Sequence, residues 1–220
     1  MKPILFNTDM VRAILDGRKT VTRRVIKGQD KNTMYAGSCL FGAGLFDNKT
    51  HQRVIESPYK VGDVLYVRET WCDDRQFTHD DTAGIYFYKA NEPDDLNNII
   101  KVKWRPSIHM PKEAARIFLK VTSIKAALLK DMELEDFLKE GISVNAEKLK
   151  TIHSVVSTQD EREKAERLAY MEAVNKFKDL WNSTAGKPFS PERYANNWYG
   201  NPYVWVIEFE VIPVDQAQGN

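Results

Sequence analysis

The run YVWVIEFEVI at 203–212 constrains the fold more than any other stretch, because it reads as an apolar strand far along the chain from the other strand signals. KPILF near the N-terminus is short and extended, KTVTRRVIK at 19–27 carries no helical stripe, and VLYVRE at 64–69 alternates between apolar and other residues. Further strands are expected in AGIYFYKA at 83–90 and around 116–124 in ARIFLKVTSI. A strand must pair to satisfy its backbone, so the last one has to return across the sequence to complete a sheet. Short strands spread this widely suit an α+β fold built on a small mixed β-barrel.

Helical signals are fewer. In NTDMVRAILDG, Asn7 or Thr8 can cap a helix whose apolar face is Val11, Ile14 and Leu15, and Gly17 stops it. MELEDFLKEGI reads as a short helix ended by Gly141. Residues 160–181 place Leu168, Met171, Val174, Phe177 and Trp181 at three- and four-residue spacing, an apolar stripe beside a solvated charged face. Residues 28–57, rich in Gly, Asn and Lys, read as a loop or loose hairpin able to cover a pocket, and AGKPFSPERYANNWYGNP reads as irregular. With 220 residues, 42% of them hydrophobic, the expectation is one domain over 1–220 with insertions at 28–57 and 143–200, the second of them helical.

The net charge of +1 gives no global drive toward a polyanion, but its distribution is uneven. Residues 1–60 hold 11 Lys or Arg against 5 Asp or Glu, a local +6, and the remainder sums to −5. Within that N-terminal quarter, LDGRKTVTRRVIK concentrates Arg18, Lys19, Arg23, Arg24 and Lys27 directly after the first helix. Cys39 and Cys72 form neither a disulfide framework nor a metal spacing. His51, His79, His109 and His153 are isolated, so no metal and no cofactor is expected. No apolar run has the length of a membrane span, and a cytoplasmic chain is expected.

The combination ILDGRKTVTRR, YKVGDVLYVRETW, ARIFLKVTSI and YVWVIEFEVI resembles the ASCH superfamily within the PUA-like fold, especially its bacteriophage and prophage members with a WRPSIHMP segment. Gly17, Lys19 and Thr22 match the family's glycine, lysine and threonine, and Gly62, Asp63 and Glu69 match its strand ending in a carboxylate. The resemblance covers mainly 1–27, 57–125 and 200–213. It implies a PUA-like barrel with helices packed at its rim, a cleft near the first helix, and recognition of RNA or a modified nucleoside. Small bacterial members deacylate N4-acetylcytidine with a lysine, a threonine and a glutamate, which carry over to Lys19, Thr22 and Glu69.

As an amide hydrolase, the chain would use Thr22 as nucleophile, Lys19 as proton acceptor and Glu69 as relay. In a regular strand Lys19 and Thr22 point to opposite faces, so Lys19 would have to sit in the turn after Gly17. The structural alternatives are a solvated Lys19, a Thr22 chosen for the strand, and a Glu69 paired with Arg23 or Arg24. For nucleotide recognition, Arg18, Arg23 and Arg24 can contact phosphate while Tyr66, Trp71 or Trp104 stacks on a base, unless these rings only pack the core or rim. Ser107 and His109, bounded by Pro106 and Pro111, are either ligand contacts or turn geometry. A third function is a protein-interaction module formed by the helical insertion with Phe189, Tyr194, Trp198, Tyr199, Tyr203 and Trp205. Binding of RNA or a modified nucleoside is the leading expectation, ahead of the hydrolase and the interaction module.

Overall fold

A computed structural model describes residues 1–39, 42–73, 85–92, 102–155, 157–184 and 195–218. Its contacts divide the chain into two compact units, interleaved in sequence. Unit 1 is Met1–Gly17, Val61–Thr122 and Phe209–Asn220, and unit 2 is Arg18–Lys60 and Ser123–Glu208.

In unit 1, β1 (Lys2–Leu5) leads into α1 (Thr8–Leu15). Asn7 caps the helix by accepting from the Met10 N–H at 2.9 Å, and Gly17 follows it at φ +71°, a conformation that suits glycine. Val11, Ala13 and Ile14 are buried, whereas Leu15, expected on that face, is half exposed because it lies a further 100° around the helix. β1 pairs in parallel with β6 (Val64–Arg68), which pairs antiparallel with the first residues of β9 (Phe118–Leu128). A two-stranded hairpin joins β7 (Trp71–Asp73) to β8 (Tyr86–Tyr88), so only the second half of the expected 83–90 strand lies among the described residues. The short helix Val214–Gln218 ends the unit.

In unit 2, β2 (Val21–Val25) pairs antiparallel with the first half of β10 (Tyr203–Ile212), Thr22 opposite Ile207 and Arg23 opposite Val206. Residues 28–57, expected as a loop or loose hairpin, instead contain a three-stranded antiparallel sheet of β3 (Met34–Cys39), β4 (Gly42–Asp47) and β5 (Arg53–Glu56). Its glycines are a packing requirement, not a loop signal. A Cβ on Gly44 would sit 2.7 Å from the Ile55 carbonyl oxygen.

Three helices complete unit 2: α2 (Leu134–Lys139), α3 (Ala146–His153) and α4 (Gln159–Thr184). Phe137, Ala173, Phe177 and Trp181 pack with Val21, Val204 and Val206 from the strands. The buried stripe of α4 is Ala165, Ala169, Ala173, Phe177 and Trp181, a strict four-residue repeat. Leu168 and Met171, expected in that stripe, are 44% and 53% exposed. Small residues here let the helix approach its neighbours closely, and that demand outweighs hydrophobicity.

The longest sheet has the order β1-β6-β9-β10-β2, and β9 and β10 contribute residues to both units. The architecture is α+β, and its three sheets are open among the described residues, with no closure into a barrel. No helix among the described residues is long and apolar enough to cross a membrane. Phe189, Tyr194 and His79 lie outside the described residues.

Candidate functional site

Alternation along β6 places Leu65 and Val67 inside unit 1, and Glu69 continues that face one step past the strand end, 1% exposed. A carboxylate so placed costs several kcal/mol unless it is paired, roughly the desolvation of one ion. Its partner is Arg116, just before β9, in a two-pronged pair with Nε to Oε1 at 2.9 Å and Nη2 to Oε2 at 3.0 Å. Arg116 also donates from Nη1 to the Asn91 side chain at 2.9 Å, and its guanidinium lies 3.9 Å from the centre of the Tyr88 ring. The Tyr88 hydroxyl donates to the Ala114 carbonyl at 2.6 Å, and burial raises its pKa above the ordinary phenol value.

A second arrangement of the same kind stands beside the first. Trp71 is directly opposite Tyr88 in the hairpin, so both rings share one face. Arg105 exchanges two backbone hydrogen bonds with Trp71, places its guanidinium 5.0 Å from the centre of that ring, and pairs with the buried Asp73 at 3.2 Å. Each arginine is therefore fixed by a ring on one side and a buried carboxylate at one edge. Solvent still reaches 44% of the Arg105 side chain and 24% of Arg116. The buried Trp71 indole N–H has no acceptor among the described residues.

Unit 2 holds the lysine of the family pattern in a different setting. Lys19 is 1% exposed and bridges to Glu140, its ammonium donating to Glu140 Oε2 at 2.5 Å, the Glu140 carbonyl at 3.0 Å and the Val21 carbonyl at 2.7 Å. Arg23 meets the other Glu140 oxygen at 3.1 Å and Asp136 at 3.2 Å, leaving its Nε unpaired in the interior. Burial lowers the Lys19 pKa below its ordinary value, against the opposing pull of Glu140. A neutral lysine amine is a base, and a charged one is a structural tie.

The sequence candidates thus divide. Lys19, Thr22, Arg18, Arg23 and Arg24 belong to unit 2, and Glu69, Tyr66, Trp71, Trp104, Ser107 and His109 belong to unit 1. Lys19 is buried, not solvated, and Thr22 is 2% exposed. The ion-pair partner of Glu69 is Arg116, where Arg23 or Arg24 was expected, and Arg23 is instead committed to Glu140 and Asp136. Arg18 donates to the Gly141 carbonyl at the end of α2, and Arg24 is half-buried opposite Trp205. Tyr66 packs against Phe118 and Ile212, and Trp104 is half-buried. Ser107 and His109 form a single helical turn in which His109 is exposed.

Four residues of these clusters escaped sequence reasoning: Arg105, Arg116, Tyr88 and Glu140. Glu140 had a signal. It closes α2, where the helix dipole disfavours an anion, so a carboxylate there needs a cation elsewhere. No protein-family model, curated protein or solved structure matches the chain.

Proposed function

We propose that the chain binds RNA or a modified nucleoside, and that Arg105 and Arg116 in unit 1 form its base-reading surface. The observation that carries this is the pair of guanidinium planes, each laid on a ring and held at one edge by a buried carboxylate. A guanidinium fixed in this way offers its outer face to a planar base without losing side-chain entropy on binding, and single-stranded RNA is commonly held by stacking on arginine planes and rings. The Asn91 amide beside Arg116 adds a polar group able to read a base edge. The ASCH-like pattern of Lys19, Thr22 and Glu69 points to the same ligand class and to a PUA-like ancestry.

The test is titration with cytidine, N4-acetylcytidine and a short single-stranded RNA, comparing the wild type with Arg105→Gln and Arg116→Lys. Arg116→Lys keeps the charge facing Glu69 but removes the planar fork. Loss of one stacked base costs about 1–3 kcal/mol, so each variant should bind roughly ten-fold or more weakly while remaining folded by circular dichroism. Unchanged affinity in both folded variants removes the proposal.

A second function, deacylation of N4-acetylcytidine, is favoured by the lowered pKa of the Lys19 amine, which suits a proton acceptor for the Thr22 hydroxyl. Product formation that Lys19→Ala and Thr22→Ala both abolish would establish it. Absence of turnover by the wild type across pH would remove it.

A further inference from the structure

We propose that a cleft in unit 2 of about 660 Å³, lined by residues 26–32 with Ala195 and Asn196, binds a phosphate group. This deepens the nucleic-acid function and rests on it for the source of the phosphate. The volume falls within the usual range for small-ligand sites.

The lining charges are Lys27, Asp30 and Lys31. Asp30 is turned into its own loop, accepting from the Asn32 N–H at 3.0 Å and the Thr33 hydroxyl at 2.9 Å. Lys31 is anchored by the Gly200 and Asn201 carbonyls. Gln29 is spent on the strand ends, donating to Ile26 and Tyr203 carbonyls and accepting from the Tyr203 N–H. Lys27 differs from all of these, because its exposed ammonium forms no hydrogen bond or ion pair among the described residues. The Asn32 side-chain amide is likewise uncommitted there.

The backbone strengthens the case. Gly28 takes φ +73°, and neither its N–H nor that of Lys27 has a partner among the described residues. Successive unpaired N–H groups around a left-handed residue make a concavity that favours an anion. One free ammonium, one free amide and two free N–H groups are hydrogen-bond donors of the kind that phosphate oxygens accept, and the carboxylate in the cleft is turned into its own loop.

The test follows the backbone amide signals of residues 27–32 by nuclear magnetic resonance during titration with inorganic phosphate, cytidine 5′-monophosphate, cytidine and a short single-stranded RNA. Phosphate and the monophosphate should shift Lys27, Gly28 and Asn32, and cytidine should not. Lys27→Gln, a substitution at an exposed side chain without internal partners, should weaken monophosphate binding about ten-fold, the loss expected for one charged hydrogen bond. RNA that shifts the same signals assigns the phosphate to nucleic acid, whereas shifts with inorganic phosphate alone assign the site to a free phosphate. Either result keeps the site even if the Arg105 and Arg116 variants bind normally. No shift at 27–32 with any phosphate-bearing probe, or full affinity in Lys27→Gln, overturns the proposal.

Discussion

At the scale of single residues, the two cations on Glu140 make its removal more damaging than the removal of either one. Glu140→Gln leaves Lys19 and Arg23 facing each other in the interior, and breaking a buried pair from one side costs about 3–5 kcal/mol. Lys19→Met removes a charge but leaves Glu140 paired with Arg23, so its cost should be clearly smaller. Urea denaturation of both single variants and the double variant measures the difference, and equal losses would show that Glu140 does not bind the two cations jointly. The pH dependence has a definite sign. Because the native Lys19 pKa lies below 10.5, the unfolded chain binds a proton that the native state lacks between the two values, and stability rises with pH across that window. Lys19→Met should abolish that part of the rise.

At the scale of elements, α4 tests whether its alanines or its larger apolar residues hold it in place. Ala173→Leu adds bulk where Ala173 is fully buried against Phe177 and the strands, and overpacking of this kind costs about 1–3 kcal/mol. Leu168→Gln, at an exposed position, should change stability by less than about 0.5 kcal/mol. Thermal denaturation separates these outcomes, and the reverse order would restore Leu168 to the core. The docking of α3 on α4 has its own electrostatic tie. Glu172 accepts from Lys148 at 2.7 Å and Lys176 at 2.8 Å, and those bonds lower its pKa to about 2. A depressed carboxylate stabilises the native state above its unfolded pKa of 4.5, and the contribution disappears as pH falls toward about 2. Glu172→Gln should cost about 1 kcal/mol at neutral pH and nothing extra at the acid end, as read from hydrogen exchange of the α3 amides.

Whatever depended on local pattern could be read at this scale, and whatever depended on register could not. Asn7 and Gly17 mark the ends of α1 because capping is a matter of a few neighbouring atoms. Alternation in VLYVRE puts Glu69 on the buried face and demands a cation, yet the cation is 47 residues away and is fixed by how β6 meets β9. The same holds for Arg105, whose ring partner follows from an isolated bridge to Trp71. The β3–β5 sheet was hidden because glycine reads as a loop signal unless the close approach it permits is known.

For the whole molecule, a net charge of +1 decides what kind of nucleic-acid binding is physically available. A chain without a large positive field cannot rely on counterion release alone, which supplies most non-specific affinity in strongly basic proteins. Affinity must then come from stacking and hydrogen bonding at defined groups. Salt dependence should accordingly be shallow: with one phosphate neutralised at the Lys27 cleft, the logarithm of RNA affinity should fall with the logarithm of salt at a slope of about −0.7 per phosphate contacted. Lys27→Gln should flatten the slope by about that amount, while Arg105→Gln should lower affinity at every salt concentration because stacking is little screened. Competition completes the distinction. Polyphosphate, which carries the charge of RNA without its bases, should displace labelled single-stranded RNA poorly from the wild type. Efficient displacement by polyphosphate, together with a slope many times steeper, would mean that phosphate contacts dominate and that the ring-stacked arginines are structural ties of the β7–β8 hairpin.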